Sequence, residues 1–455
     1  MNFQRLCGSI VFAIVIGTIT SAEIQAQEHH PESNPVATEA KPFPTALIDY
    51  VKQSDDDVFR WEHLGKMTTA AGTVHQLRVT SQTWQGIVWK HAVEVYEPKN
   101  IRFENHAVLY VTGGSTPSQP RPSDIVLGVQ LANQCGARVV MLHQTPNQPL
   151  LGNRREDDLI SETWLRYLET GDATWPLLFP MVKSAVRTMD AIGEFSEQSL
   201  SSKVGHFVIT GASKRGWTSW LSPVADNRII ATAPIVIDVL NFRKQMDHQI
   251  ETWGSYSRQI ADYTRKGLVK TPGEKESERE AALREMMDPF TYRSKLTLPK
   301  LLIVGTNDPY WTVDAMNLYW NDLVGPKFIR QVPNAGHGLE GGREGAVASL
   351  AAFFRHCASG ETMPKAHWQF EESGRELTLS MLTDHPPKEV RLWTAQSETK
   401  DFRKAKWSSK VIAKTGDLFV GRLTKPESKH VAAFGEFVFA DQVGSWSITT
   451  LVYRR

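Results

Sequence analysis

Three residues in this chain have the types and the order needed to attack a carbonyl carbon. Ser213 lies in Val208-Ile-Thr-Gly-Ala-Ser-Lys-Arg-Gly216, where an apolar run meets Gly211, then a serine, then a glycine-containing turn. A strand that turns sharply into a helix at such a point lifts the hydroxyl above a sheet. The helix N-terminus beneath it adds positive potential where an oxyanion would develop. Asp308 closes the apolar stretch Leu301-Leu-Ile-Val-Gly-Thr-Asn-Asp308, and His337 closes Phe328-Ile-Arg-Gln-Val-Pro-Asn-Ala-Gly-His337. In that arrangement the imidazole takes the serine proton and returns it to a leaving group. The carboxylate sets the imidazole tautomer and stabilises its charged form.

Serine, then an acid after one late strand, then a histidine after the next, is the chain order of α/β-hydrolases. The spacing departs from the usual elbow in one respect: Arg215 stands two residues after the serine, and the glycine follows at Gly216. The backbone N–H of Lys214 is the expected first oxyanion donor. The second is expected from Gly114, with Gly113 as the alternative, in the loop after the apolar run 106–111. Asp238, at the end of another apolar run, is a rival for the acid. Trp217, Tyr310 and Trp311 follow directly on the elbow or the acid loop and are the candidate substrate-binding residues; core packing is the competing reading. Of the two cations beside the serine, Arg215 is expected to anchor a carboxylate beneath the loop and Lys214 to face the site.

These residues need a scaffold, and the hydropathy pattern supplies one. The continuous apolar run 106–111 reads as a strand buried on both faces, 137–142 as another buried strand, and 204–210, 229–237, 300–304 and 327–332 as further strands. Helical patterns at 124–135, 158–168, 176–195, 213–221, 313–323 and 344–356 alternate with them, after two β runs at 74–81 and 86–95. The expected fold class is α/β: a mostly parallel sheet with helices on both faces. Residues about 241–295 break the rhythm and read as a helical cap above the strands' carboxyl ends, or as a peripheral helical pair. Seven short β-like runs between 368 and 453 predict a small C-terminal β-sandwich. The expected domains are therefore 50–360, with the cap inside it, and 365–455.

Residues 1–26 read as a signal peptide. Arg5 precedes an apolar run at 10–19, and small residues follow at Thr20, Ser21 and Ala22, with a second cleavage position after Ala26. The run is short for a bilayer span, so no membrane span is expected after cleavage; an uncleaved anchor is the other reading. Residues 27–49 read as a flexible leader. Lys and Arg number 51 against 50 Asp and Glu, which gives no electrostatic footprint for nucleic acid. Cys7 would leave with the signal. Cys135 and Cys357 then remain, and both sit in apolar helical patterns that favour free buried thiols over a disulfide. No zinc-type spacing of Cys and His occurs, so no metal or cofactor is expected.

The stretches Gly211-Ala-Ser-Lys-Arg-Gly-Trp-Thr-Ser-Trp220, Thr145-Pro-Asn-Gln-Pro149, Glu156-Asp157, Thr163-Trp164, Pro180-Met181, Pro234-Ile-Val-Ile-Asp238, Asp288-Pro289 and Pro333-Asn-Ala-Gly-His337 carry a resemblance. From about Tyr50 to the C-terminus the chain resembles the PhoPQ-activated pathogenicity-related protein family, which includes autocrine proliferation repressor proteins. The resemblance implies an α/β-hydrolase fold with a β-rich C-terminal part, and export from the cytoplasm. It also implies a link to cationic antimicrobial peptide resistance in bacteria and to secreted growth control in amoebae. Around Asp308 the loop Thr-Asn-Asp-Pro-Tyr-Trp departs from the family's usual wording. Two functions are open. One is a serine hydrolase acting on a small-molecule, peptide or glycan ester or a peptide-like bond. The other is a secreted binding or signalling protein on a hydrolase scaffold.

Overall fold

The computed structural model describes residues 43–455 apart from 55, 56 and 201. The expected signal segment, Cys7 and the leader as far as residue 42 lie outside the described residues. The rest of the expected leader is not loose chain. Helix α1 (Ala46–Lys52) packs Leu47, Tyr50 and Val51 into the core, so the folded domain begins before residue 50.

Nine strands form the main sheet: β1 (Arg60–Thr69), β2 (Gly72–Trp84), β3 (Ile87–Pro98), β4 (His106–Val111), β5 (Arg138–Leu142), β6 (His206–Ala212), β7 (Ile229–Ile235), β8 (Lys300–Gly305) and β9 (Lys327–Val332). Their spatial order is β1-β2-β3-β5-β4-β6-β7-β8-β9. The first three are antiparallel, and β3 meets β5 antiparallel. From β5 through β9 every pairing is parallel. β4, β6 and β8 are almost wholly buried, as continuous apolar runs in a sheet covered on both faces require. β1 has no counterpart in the sequence reading. It is a mostly exposed edge strand, so it carries no apolar alternation to betray it.

Helices cover the two faces. On one lie α1, α4 (Leu178–Ser199) and α5 (Lys214–Ala225); on the other lie α2 (Pro122–Cys135) and α9 (Arg343–Ser359). α3 (Glu156–Thr170) starts beside the turn after β6, where Glu156 accepts from Arg215. Between β7 and β8 come α6 (Phe242–Trp253), α7 (Ala261–Thr264) and α8 (Glu278–Met287). This insertion touches the acid loop directly: the Gln249 side-chain amide donates to the Tyr310 carbonyl at 2.9 Å and the Ser257 hydroxyl to the Pro309 carbonyl at 2.7 Å.

The helix expected at 313–323 is instead two short 3-10 turns, Ala315–Leu318 and Trp320–Asp322. Tertiary bonds outcompete helical ones there. Arg454 binds Asp314 at 2.7 Å, Asn317 donates to the Val452 carbonyl, and Asn241 donates to the Leu318 carbonyl.

The C-terminal strands are β10 (Ala366–Ser373), β11 (Glu376–Thr383), β12 (Glu389–Ser397), β13 (Ser408–Val411), β14 (Lys414–Thr415), β15 (Leu418–Thr424), β16 (His430–Ala440), β17 (Ser445–Thr449) and β18 (Tyr453–Arg454). They form two antiparallel sheets, β10-β11-β15-β14 and β13-β12-β16-β17, with β18 on β16. Leu377, Leu379 and Met381 of the first pack with Val390, Leu392 and Phe437 of the second. Cys135 and Cys357 are both free, and no helix among the described residues is long and apolar enough to cross a membrane.

Candidate active site

β6 ends at Ala212 and α5 begins at Lys214, leaving Ser213 as the single residue of the turn. Its backbone has φ 59 and ψ −124, a strained conformation for a side chain other than glycine. The strain is held by packing. A Cβ on Gly216 would lie 2.6 Å from Ile237 and 2.8 Å from the Gly211 carbonyl oxygen, so only glycine lets the turn close this tightly. That explains the shifted spacing: the glycine required for close approach is Gly216, and the place before it is free for Arg215.

The loops after β6, β8 and β9 bring the chemistry together. His337 Nε2 lies 2.9 Å from Ser213 Oγ, and His337 Nδ1 lies 2.8 Å from Asp308 Oδ2. Asp308 is buried, and its Oδ1 accepts the Tyr310 N–H at 2.8 Å. Tyr310 lays its ring on the His337 imidazole, with centroids 4.2 Å apart. Asp238 has no bond to His337. It is fully buried against the Tyr319 hydroxyl, and burial pushes its carboxyl up to about 7.

Gly114 follows β4, which neighbours β6 in the sheet, so the loop it belongs to stands beside Ser213. Gly114 is exposed and has φ +114, a conformation that favours glycine. The N–H of Lys214, at the first position of α5, has no partner within its own helix.

The two cations beside the serine are both neutralised. Arg215 donates to both Glu156 oxygens at 2.7 and 2.8 Å and to the Thr145 carbonyl at 2.6 Å. Burial opposes the charge of Glu156, but Arg215, Gln148 and Lys214 outweigh it and hold the carboxyl down at about 2. Lys214, expected to face the site, reaches Tyr310 beside His337, but its ammonium is paired: it lies 2.6 Å from Asp157 Oδ2 and 3.5 Å from the Tyr310 hydroxyl. Tyr263 of the insertion donates to Asp157 Oδ1 at 3.0 Å. Glu156 and Asp157 are thus part of the site's frame. The sequence offered them only as residues of the family resemblance, because acids in a helix's first turn are ordinary.

Trp217 and Trp311 are buried and line an apolar cavity of about 120 Å3 beneath the insertion, together with Trp164, Phe242, Tyr263 and Leu283. Tyr310 is not among its walls; it belongs to His337. Among the described residues no group of three or more His, Cys, Asp or Glu is placed to hold a metal.

A mostly parallel sheet in this order, flanked by helices and carrying a serine elbow at β6, defines an α/β-hydrolase fold. The chain belongs to the PhoPQ-activated pathogenicity-related protein family, whose model matches residues 47–403 and so stops short of the C-terminus. Autocrine proliferation repressor protein A of Dictyostelium discoideum is 34% identical over 383 residues, covering 79% of this chain and 76% of that protein. Among solved structures, acetyl xylan esterase 1 from Thermoanaerobacterium sp. is 16% identical with a TM-score of 0.47, covering 69% of this chain and 95% of its own. The acetyl xylan esterase from Paenibacillus sp. R4 is 13% identical with a TM-score of 0.45, covering 67% and 91%.

Proposed function

We propose that this protein is an exported serine hydrolase that cleaves an ester or peptide-like bond through an acyl-enzyme on Ser213. The observation that carries the reading is the continuous hydrogen-bonded path Ser213–His337–Asp308, at 2.9 and 2.8 Å. Ser213 Oγ attacks the carbonyl as its proton passes to His337 Nε2. The oxyanion is held by the N–H groups of Lys214 and Gly114. His337 then protonates the leaving group, and water, activated by the same imidazole, releases the acid. Asp308 keeps Nδ1 protonated throughout.

The substrate is a small-molecule, peptide or glycan ester. Its apolar portion enters the cavity walled by Trp217, one helical turn beyond the serine, and Trp311, three residues beyond the acid. A cavity of this order accommodates about one aromatic ring or a short branched chain. Export is supported by the N-terminal signal-like sequence.

A fluorophosphonate probe tests the reaction. Labelling of the wild-type protein that vanishes in Ser213→Ala and falls steeply in His337→Ala supports it. A folded wild-type protein that takes no label refutes it and favours a binding or signalling role, the reading suggested by the name of the Dictyostelium relative.

A further inference from the structure

The acid and histidine loops are tied to each other and then to the C-terminal β-sandwich. The Asn307 N–H donates to the Ala335 carbonyl at 2.9 Å, and the Asn334 N–H donates to the Thr306 hydroxyl at 2.9 Å. Gly305 lets the two loops approach: a Cβ there would lie 2.3 Å from the Ala335 carbonyl oxygen. Beyond this pair stands the loop between β12 and β13. The Asn307 side-chain amide points at three of its carbonyls, Ala405 at 2.8 Å, Phe402 at 3.2 Å and Arg403 at 3.3 Å. Asn334, at φ 58, makes a reciprocal pair with Trp407: its Nδ2 donates to the Trp407 carbonyl at 2.9 Å and its Oδ1 accepts the Trp407 N–H at 2.7 Å. That loop is itself rooted in a small core of Phe402, Trp407, Ala432, Phe434 and Val452. Its other side reaches the insertion, where the Arg403 guanidinium stacks 4.0 Å from the Trp253 ring centre.

We infer that the C-terminal β-sandwich is a working part of the active site, with Asn307 and Asn334 as positioning residues that set Asp308 and His337 against Ser213. Asn307 is the immediate neighbour of the acid, and Asn334 stands three residues before the histidine. Each side chain spends its amide on backbone groups of residues 402–407. A fixed backbone partner constrains the loop more than a mobile side chain does, and catalytic groups lose efficiency steeply when displaced by about 1 Å. The inference rests on the hydrolase reading for its kinetic consequence and on geometry alone for its structural one.

The experiment uses the full-length protein and two variants, Asn307→Ala and Asn334→Gly; glycine keeps the positive φ of residue 334 available. Phosphonylation of Ser213 is followed over probe concentration, and hydrogen exchange is followed in peptides spanning 305–309 and 333–338. The expected result is a maximal labelling rate lowered about 10- to 100-fold at unchanged probe affinity, with faster exchange in both peptides in each variant. If one variant fails to fold, the other decides. Labelling rates within twofold of wild type, in protein held well below its melting temperature, would overturn the inference and leave the asparagines a purely structural role. If the wild type itself takes no label, the hydrolase reading fails, and the exchange data alone decide: unchanged exchange in the two peptides overturns the inference.

Discussion

The Arg215 guanidinium grips both oxygens of Glu156, at 2.7 and 2.8 Å, and so fastens the start of α3 beneath the serine turn. Gln148 joins the same carboxylate at 2.7 Å, and its backbone carbonyl accepts the Thr116 N–H from the loop after β4. One ion pair therefore braces the elbow and, through Gln148, the loop that carries Gly114.

Arg215→Met is expected to destabilise the fold by about 3 kcal/mol, near the low end for a broken buried pair because Glu156 keeps some contact with water. The pH dependence follows from the carboxyl, held at about 2 against an ordinary 4.5. A depressed acid stabilises the fold above its ordinary value and loses that contribution as pH falls toward the folded one. The melting-temperature gap between wild type and Glu156→Gln should be widest above about pH 5 and close progressively as pH falls toward about 2. A gap that does not vary with pH would contradict the pairing.

Asp238 behaves in the opposite sense. Its carboxyl is raised from 3.8 to about 7 by burial, so between those values the folded state holds a proton that the unfolded state has lost. Stability therefore falls as pH rises through this window and levels off above it. Asp238→Asn removes that slope, and its melting temperature should gain on the wild type between about pH 4 and 7. Because His337 pairs with Asp308, Asp238→Asn should retain most of the hydrolytic rate, whereas Asp308→Asn should lose two orders of magnitude or more by stabilising the wrong imidazole tautomer. The reverse ranking would make Asp238 the acid.

Each of the three residues falls in a loop just after a strand: β6 and β8 are mostly apolar, whereas β9, Lys327-Phe-Ile-Arg-Gln-Val332, is legible from its place in the alternation of strands and helices. Ser213 is marked by its Gly-Ala-Ser turn, and Asp308 and His337 by their chain order after it. The frame around them carries no such mark. Asn307 and Asn334 look like common turn formers, and Glu156 and Asp157 like an ordinary helix start. Their partners lie in other elements, and only the fold brings Arg215, Lys214 and the 402–407 loop to them. The misread helix at 313–323 has the same origin: its period is helical, but Asp314 and Asn317 are committed to Arg454 and Val452.

The cavity beneath the insertion predicts where a substrate's apolar portion goes. Binding of an aryl ester or aryl phosphonate should quench intrinsic fluorescence, and Trp311→Phe or Trp217→Phe should remove part of that quenching. Trp217→Phe should also cost stability, since the indole N–H donates to the Met287 carbonyl at 2.7 Å and would leave that buried acceptor unpaired. In Trp311→Ala the KM for aryl esters should rise severalfold while that for acetyl esters changes little. Unchanged quenching in both phenylalanine variants would place the apolar group elsewhere.

Lys214 supplies the last prediction. A lysine next to a nucleophile invites an electrostatic role toward an anionic substrate, and that role would make kcat/KM fall with ionic strength. The geometry argues otherwise. The ammonium is nearly buried, 2.6 Å from Asp157, and its side chain crosses the Tyr310 ring with the nitrogen 5.5 Å from the ring centre. Its charge is cancelled locally, and Asp157 is further bonded to Tyr263. What Lys214 does touch is Tyr310, the ring stacked on His337. Lys214→Met should therefore lower the melting temperature and reduce kcat modestly, by about tenfold or less, while the salt dependence of kcat/KM stays as in the wild type. A double-mutant cycle with Asp157→Asn should return a coupling of about 1–3 kcal/mol in stability. If Lys214→Met instead abolishes the salt dependence and leaves the melting temperature untouched, the lysine acts on substrate charge and its pairing with Asp157 is of no consequence.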